Sequence, residues 1–202
     1  ILSAQQPVKL IHVLVPKPEF EEQYLSRILI AAIREACRPV FFLFLFVLFQ
    51  QHLQEAAQAV LSITNFEGGK CVFLCSGSEA IEISRQIAKH LTGHKRSMTL
   101  HDSYLGSYSS VINRTEGWYV FDWKRCQICP DKEHCDPCCE VLQAIPEDIS
   151  DFIFEPGSSS GFVRFPPKAM IQHIVSIIRS NNGKVIANEV TTGIGRTGKW
   201  FG

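Results

Sequence analysis

The chain is short of the features that mark several protein classes. It has no net charge, because 20 Lys and Arg are balanced by 20 Asp and Glu. That excludes a generalised polyanion binder, whose affinity rests on surplus cations at phosphates, and disfavours attachment to an anionic membrane surface. The composition implies no nucleic-acid partner and no membrane partner. Charged residues are only 20% and hydrophobic residues 46%, so wholesale disorder is excluded. No internal repeat or low-complexity linker interrupts the 202 residues. No apolar run reaches the ~20 residues that a membrane-spanning helix needs. Ile1 to Lys17 lacks a basic segment followed by an apolar core, the form of a secretory signal. The expected address is therefore cytoplasmic. Eight cysteines are too few for a disulfide scaffold in a chain this long. The chain opens on Ile1 and stops at Gly202, directly after Lys199-Trp200-Phe201. The expectation is part of a longer functional unit.

Residues 1–50 carry the weakest signals. Val8 to Val15 alternates loosely, as a strand does, and Pro18-Glu19 opens a helical pattern running to Arg34 or Cys37. The run Val40 to Phe49 is too short to span a bilayer and has Arg34, Glu35 and Arg38 just upstream. It is read as a core segment or one covered by a partner, since exposed it would invite aggregation. This stretch is left unassigned; residues 51–202 form the readable domain.

From residue 51 onward strands and helices alternate. Helical spacing covers His52–Ile63. Lys70–Cys75 reads as a short strand, followed by a helix through Leu91 that stops at Gly93. Further strands are predicted at Ser97–Leu100, Trp118–Phe121, Asp151–Glu155 and Lys184–Ala187, with a helix at Met170–Ile178. Apolar strands alternating with helices predict an α/β fold, with a mostly parallel sheet covered by helices on both faces. Ligands then sit at the carboxyl ends of the strands. Polar clusters fall there: Ser76–Glu79, Asp102–Gly106, Glu155–Ser160 and Asn188–Thr192.

Ser76-Gly77-Ser78-Glu79-Ala80 joins a strand to a helix. Two readings stand side by side. Ser76 with Glu79 three residues on is a capping box. The free N–H groups of Gly77 and Ser78 are also a place for an anion. Cys126, Cys129, Cys135 and Cys138 form two CxxC pairs, with His134 and Cys139 nearby. Zinc, disulfides and free thiols are all compatible with that spacing, and no metal ligand is assigned.

Several of these segments, in series, resemble the class III pyridoxal-phosphate-dependent aminotransferases, the ornithine, acetylornithine and 4-aminobutyrate group. Ser76 to Ala80 is similar to the family's SGSEA motif. Ser103-Tyr104-Leu105-Gly106 is similar to its Tyr-His-Gly turn, with Leu105 where His is usual. Ile153-Phe154-Glu155-Pro156 resembles its VEP strand end, and Gly161 to Pro167 its glycine-rich segment running into a double proline. Ile186 to Phe201 resembles IADEVQTGFGRTGKWF. The resemblance covers residues 51–202, with a Cys-rich insertion at about 124–140.

The resemblance implies part of the large domain of a fold-type I transferase and the cofactor pyridoxal phosphate. It also implies transfer of an amino group from an amine or amino acid to a 2-oxo acid, in a homodimer. By resemblance, Gly77 and Ser78 hold the phosphate, Tyr104 and Val190 face the ring, Thr191 contacts its hydroxyl, and Glu155 lies near the cofactor or is structural. Asn188 stands where the family has the Asp that pairs with the ring nitrogen. Arg196 reads as structural. No catalytic residue is assigned, because none of Lys70, Lys89, Lys95, Lys124, Lys168, Lys184 or Lys199 sits in the family's Schiff-base motif. Two alternatives remain: a cofactor-binding relative without activity, and a metal-binding interaction module built on the cysteines.

Overall fold

The computed structural model describes residues 39–66, 68–136, 138–158 and 163–202, with side chains from residue 47 onward. The strand and helix expected before residue 38 lie outside the described residues. The described residues fall into two compact units, one ending at Phe73 and the other running from Leu74 to Gly202.

The first unit contains one long helix, α1 (Pro39–Ile63). Pro39 suits a helix start, because its missing N–H would have no intrahelical acceptor there. The apolar run and the predicted helix at 52–63 are thus one element. Val47 and Phe49 are exposed, at 55% and 63%, which sets them outside a core of this chain and leaves the partner-covered reading of the run untouched. Among the described residues no helix is long and apolar enough to cross a membrane.

The second unit is a four-stranded parallel sheet with flanking helices. In chain order it has α2 (Gly77–Thr92), β1 (Arg96–Leu100), α3 (Ser109–Ile112), β2 (Trp118–Phe121), α4 (Lys124–Gln127), α5 (Glu140–Gln143), β3 (Ile149–Phe154), α6 (Lys168–Ser180) and β4 (Lys184–Ala187). The strand order is β2-β1-β3-β4. Ser97 pairs with Trp118 on one side and Asp151 on the other, and Asp151 pairs in turn with Lys184.

Successive residues of β3 enter different cores. Phe152 packs with Met98, Leu100, Phe121 and Trp123 and with Met170, Ile174 and Ile178 of α6. Ile153 packs with Ile81 and Ala88 of α2 and with Leu105, Val111 and Ile186. Side chains alternate across a strand, so both faces of the sheet are covered, as predicted. All four strands end at the same edge, and the loops after Leu100, Phe121, Phe154 and Ala187 open there.

The predicted strand at Lys70–Cys75 does not form a ladder. An apolar run becomes a strand only where a neighbour supplies N–H and C=O partners. Here the Cys75 N–H donates instead to Glu79 Oε2 at 2.9 Å, and Val72 stays exposed.

Candidate functional site

The strand-end edge gathers the turn ahead of α2 and the loops after β1, β3 and β4. Ser76 is the N-cap of α2, with extended backbone, and its Oγ accepts from Glu79 N at 3.2 Å. Glu79 accepts in return from Cys75 N rather than from Ser76 N. The capping box therefore satisfies Cys75 and Glu79. The N–H groups of Gly77 and Ser78 precede the first intrahelical donor, Ala80 N, and lie at the positive end of a 16-residue helix. Both readings of the Ser-Gly-Ser turn hold at once, because they use different N–H groups.

The loop after β1 is seated on this turn. Ser107 N donates to Ser78 Oγ at 3.1 Å. Gly106 has φ +106°, and a Cβ there would lie 2.5 Å from Ser78 Oγ. Glycine is required on both counts, conformation and space.

Tyr104 is fixed through its backbone. Its N–H donates to Glu155 Oε2 at 2.8 Å, and its carbonyl accepts from Asn188 Nδ2 at 3.1 Å. The Tyr104 ring remains 54% exposed, with its hydroxyl 3.0 Å from Ser107 Oγ. Glu155 is buried at the end of β3. Arg114 donates to Ser103 O beside it; burial lowers the Arg114 guanidinium below its ordinary value, and the Glu155 charge opposes that shift.

Asn188 is buried after β4, with its N–H on Phe154 O at 2.8 Å. Its Oδ1 accepts from Val190 N at 3.2 Å, so both ends of its amide are used within the protein. That Oδ1 keeps a second lone pair. Val190 is 41% exposed, and Thr191 Oγ1 donates to Gly157 O at 3.3 Å. Glu189 closes the following loop through Thr192 Oγ1 at 2.5 Å and Gly202 N at 3.2 Å.

The structure thus brings Tyr104, Glu155, Asn188 and Val190 into one hydrogen-bonded group and ties Ser78 to the Tyr104 loop through Gly106 and Ser107. Thr191 is turned onto the Gly157 carbonyl. Sequence reading missed Arg114, and it marked the Asp102–Gly106 cluster without giving a role to Gly106 or to Asp102, which accepts from Trp123 Nε1 at 2.8 Å through Oδ1 and from Ser158 Oγ at 2.9 Å through its carbonyl. The positive φ that Gly106 carries is the one signal in that loop that sequence could have offered.

Cys126, Cys135 and Cys139 pack against the α6-side core. Burial and the neighbouring Cys135, Cys139 and Cys129 push the Cys126 thiol up to about 11. Among the described residues the cysteines are free, and no group of three or more His, Cys, Asp or Glu side chains converges to hold a metal ion.

Comparisons with known proteins point one way. The chain is 30% identical over 151 residues to acetylornithine aminotransferase of Methanosarcina mazei, covering 73% of this chain and 37% of that protein. It is 27% identical over 160 residues to an alanine--glyoxylate aminotransferase 2-like protein of Drosophila melanogaster, covering 65% of this chain and 32% of that one. The chain thus spans about a third of the length of the curated relatives it matches. A solved phospholyase from Arthrobacter, in complex with phosphoethanolamine, is 26% identical with TM-score 0.56, over 75% of this chain and 41% of that one. A taurine:2-oxoglutarate aminotransferase from Bifidobacterium kashiwanohense, in complex with PLP and glutamate, has TM-score 0.62 at 18% identity, over 73% and 39%. The shared fold is part of the fold-type I large domain. The family described as Aminotransferase class-III matches residues 24–202, and the chain belongs to that family.

Proposed function

We propose that the protein containing this chain is a pyridoxal-phosphate-dependent transaminase, moving an amino group from an amine or amino acid to a 2-oxo acid. One observation carries the reading: a helix N-terminus with two uncommitted N–H groups, an exposed aromatic ring and a buried amide lie on successive loops of one strand-end edge. The residues fit the cofactor. The tight contact of Gly106 with Ser78 leaves no side chain to fill the turn. Gly77 and Ser78 would hold the phosphate dianion. Tyr104 and Val190 would take the two ring faces. Asn188 Oδ1 would accept from the ring nitrogen, and Thr191 would lie near the ring hydroxyl. Bound there, pyridoxal phosphate would supply the aldehyde that takes up an amino group and the electron-poor ring that makes it transferable.

Glu155 acts through Tyr104 in this proposal, holding its backbone by a 2.8 Å hydrogen bond. Asn188 is neutral and holds a ring proton less well than a carboxylate does. That single residue favours a second reading, a cofactor-binding relative with little activity. The Schiff-base lysine has no counterpart among the lysines of residues 1–202. Homodimer assembly and a cytoplasmic address belong to the same proposal.

The decisive experiment takes the protein from its source under native conditions. Intact mass, coenzyme absorbance and amino transfer to a 2-oxo acid are measured together. Bound coenzyme with turnover supports the transaminase. Bound coenzyme without turnover supports the second reading, and no bound coenzyme removes both.

A further inference from the structure

A cleft of about 280 Å³ is lined by none of the residues assigned to the strand-end site, and adjoins it through the Trp123–Asp102 hydrogen bond. Trp123, Phe165 and Pro167 supply its apolar lining. Lys132, Arg164 and Lys168 supply three positive charges, against one negative charge from Glu133. Among the described residues, none of these three cations forms an ion pair. Three positive groups around one cleft repel one another unless an anion enters.

Two further features act in the same direction. Gln127 lines the cleft, and its Nε2 is buried without a hydrogen-bond partner. Leaving a buried donor unpaired is costly, so the group calls for an acceptor. The 13-residue helix α6 also starts here, at Lys168. Its N-cap, Pro167, offers no side-chain bond, and its first turn contains no acidic residue. A lysine in the first turn is opposed by the helix dipole, and an anion removes that conflict.

We propose that this cleft binds a small organic dianion, a phosphate monoester or a dicarboxylate. Arg164, Lys168 and the start of α6 take its charged end, and Phe165, 61% exposed, covers its apolar part. The net lining charge of two positives matches a dianion. Arg164 can grip either group with two parallel N–H donors.

The test uses the complete protein carrying one equivalent of pyridoxal phosphate with the excess removed, so that the strand-end site is filled and the cleft is free. Phenyl phosphate, succinate and inorganic phosphate are titrated by calorimetry at two salt concentrations. One of the two organic dianions is expected to bind, more weakly at high salt. Which one binds separates a phosphate from a dicarboxylate ligand. Arg164→Ala should weaken binding at least tenfold, and Lys132→Ala severalfold. Both residues are exposed, so folding of the variants is checked by unfolding midpoint. Failure of both organic dianions to bind would overturn the proposal, as would unchanged affinity in Arg164→Ala. Loss of binding in Ser78→Ala with none in Arg164→Ala would also overturn it, by placing the ligand at the turn ahead of α2. Inorganic phosphate binding as tightly as phenyl phosphate would remove the organic part.

Discussion

Asn188 and Tyr104, 84 positions apart in the chain, are joined by a 3.1 Å hydrogen bond from the amide Nδ2 to the backbone carbonyl. A carboxylate at position 188 could not donate that bond. The amide is therefore matched to its surroundings as well as being a departure from the family pattern.

Asn188→Asp tests both consequences. Without cofactor, the carboxylate faces the Tyr104 carbonyl, and stability should fall by about 1–3 kcal/mol in urea unfolding. In the complete protein loaded with pyridoxal phosphate, the single-turnover rate of amino transfer should rise at least about tenfold, the equivalent of one pKa unit on the ring nitrogen. No rise would separate Asn188 from that nitrogen.

Gly106→Ala meets Ser78 at 2.5 Å and a φ of +106°. The expected loss is about 1–3 kcal/mol. Cofactor affinity in the complete protein should drop with it, because the Ser78 turn must move. Gly77→Val, on the turn itself, should weaken cofactor binding too; an unchanged affinity by titration would refute the phosphate assignment.

Ser76→Ala removes the acceptor for Glu79 N. Loss of such a cap costs about 1 kcal/mol. Denaturant midpoints should show this loss whether or not cofactor is present. A loss confined to the loaded protein would mean that Ser76 serves the ligand and not the helix.

Asp151 gives a pH signature. It is fully buried, and its Oδ1 accepts from Ser97 Oγ at 3.0 Å and from Ser150 Oγ, while Oδ2 has no partner among the described residues. Burial raises its carboxyl above the ordinary value, with Ser150, Arg85, Ser97 and Lys89 pulling the other way. A raised folded-state value means that the folded protein holds the proton more tightly. The contribution is fully present below the unfolded value near 4 and is lost as pH rises through the folded value. Asp151→Asn should therefore flatten this part of the stability profile and leave the protein no less stable at pH 7. A wild-type profile that rises through the same window would contradict it.

Thiol labelling at pH 7.5 should proceed in order of access and charge. Cys75 and Cys138 are exposed and should react first with iodoacetamide, and Cys126, raised to about 11, last. Peptide mass spectrometry reads the order directly.

Much of the sheet was legible because its signals are local. β2 and β4 are short, mainly apolar runs, β1 and β3 are bounded by turn signals, and α2 carries its own Ser76 cap and Gly93 stop. Lys70–Cys75 misled because its composition is strand-like while its pairing depends on neighbours that sequence does not display. The run at Val40–Phe49 looked separate from 52–63 because its composition differs, yet one helix contains both. In the site, Tyr104, Asn188 and Val190 followed from motif resemblance. The fit of Gly106 on Ser78 did not, since it joins residues nearly thirty positions apart. Lys132, Arg164 and Lys168 form no motif at all; only folding brings them to one cleft.

The all-parallel sheet also governs how the second unit can assemble. No neighbouring strands are joined by a hairpin, and the Ser97–Asp151 pairing closes a stretch of 54 positions. Closing such stretches consumes chain entropy before any ladder bond repays it. The helices between the strands must therefore be largely formed and docked when the strands meet. Refolding should be slow for a unit of this size, and while it lasts β2 and β4, the edge strands among the described residues, are open to strands of other molecules.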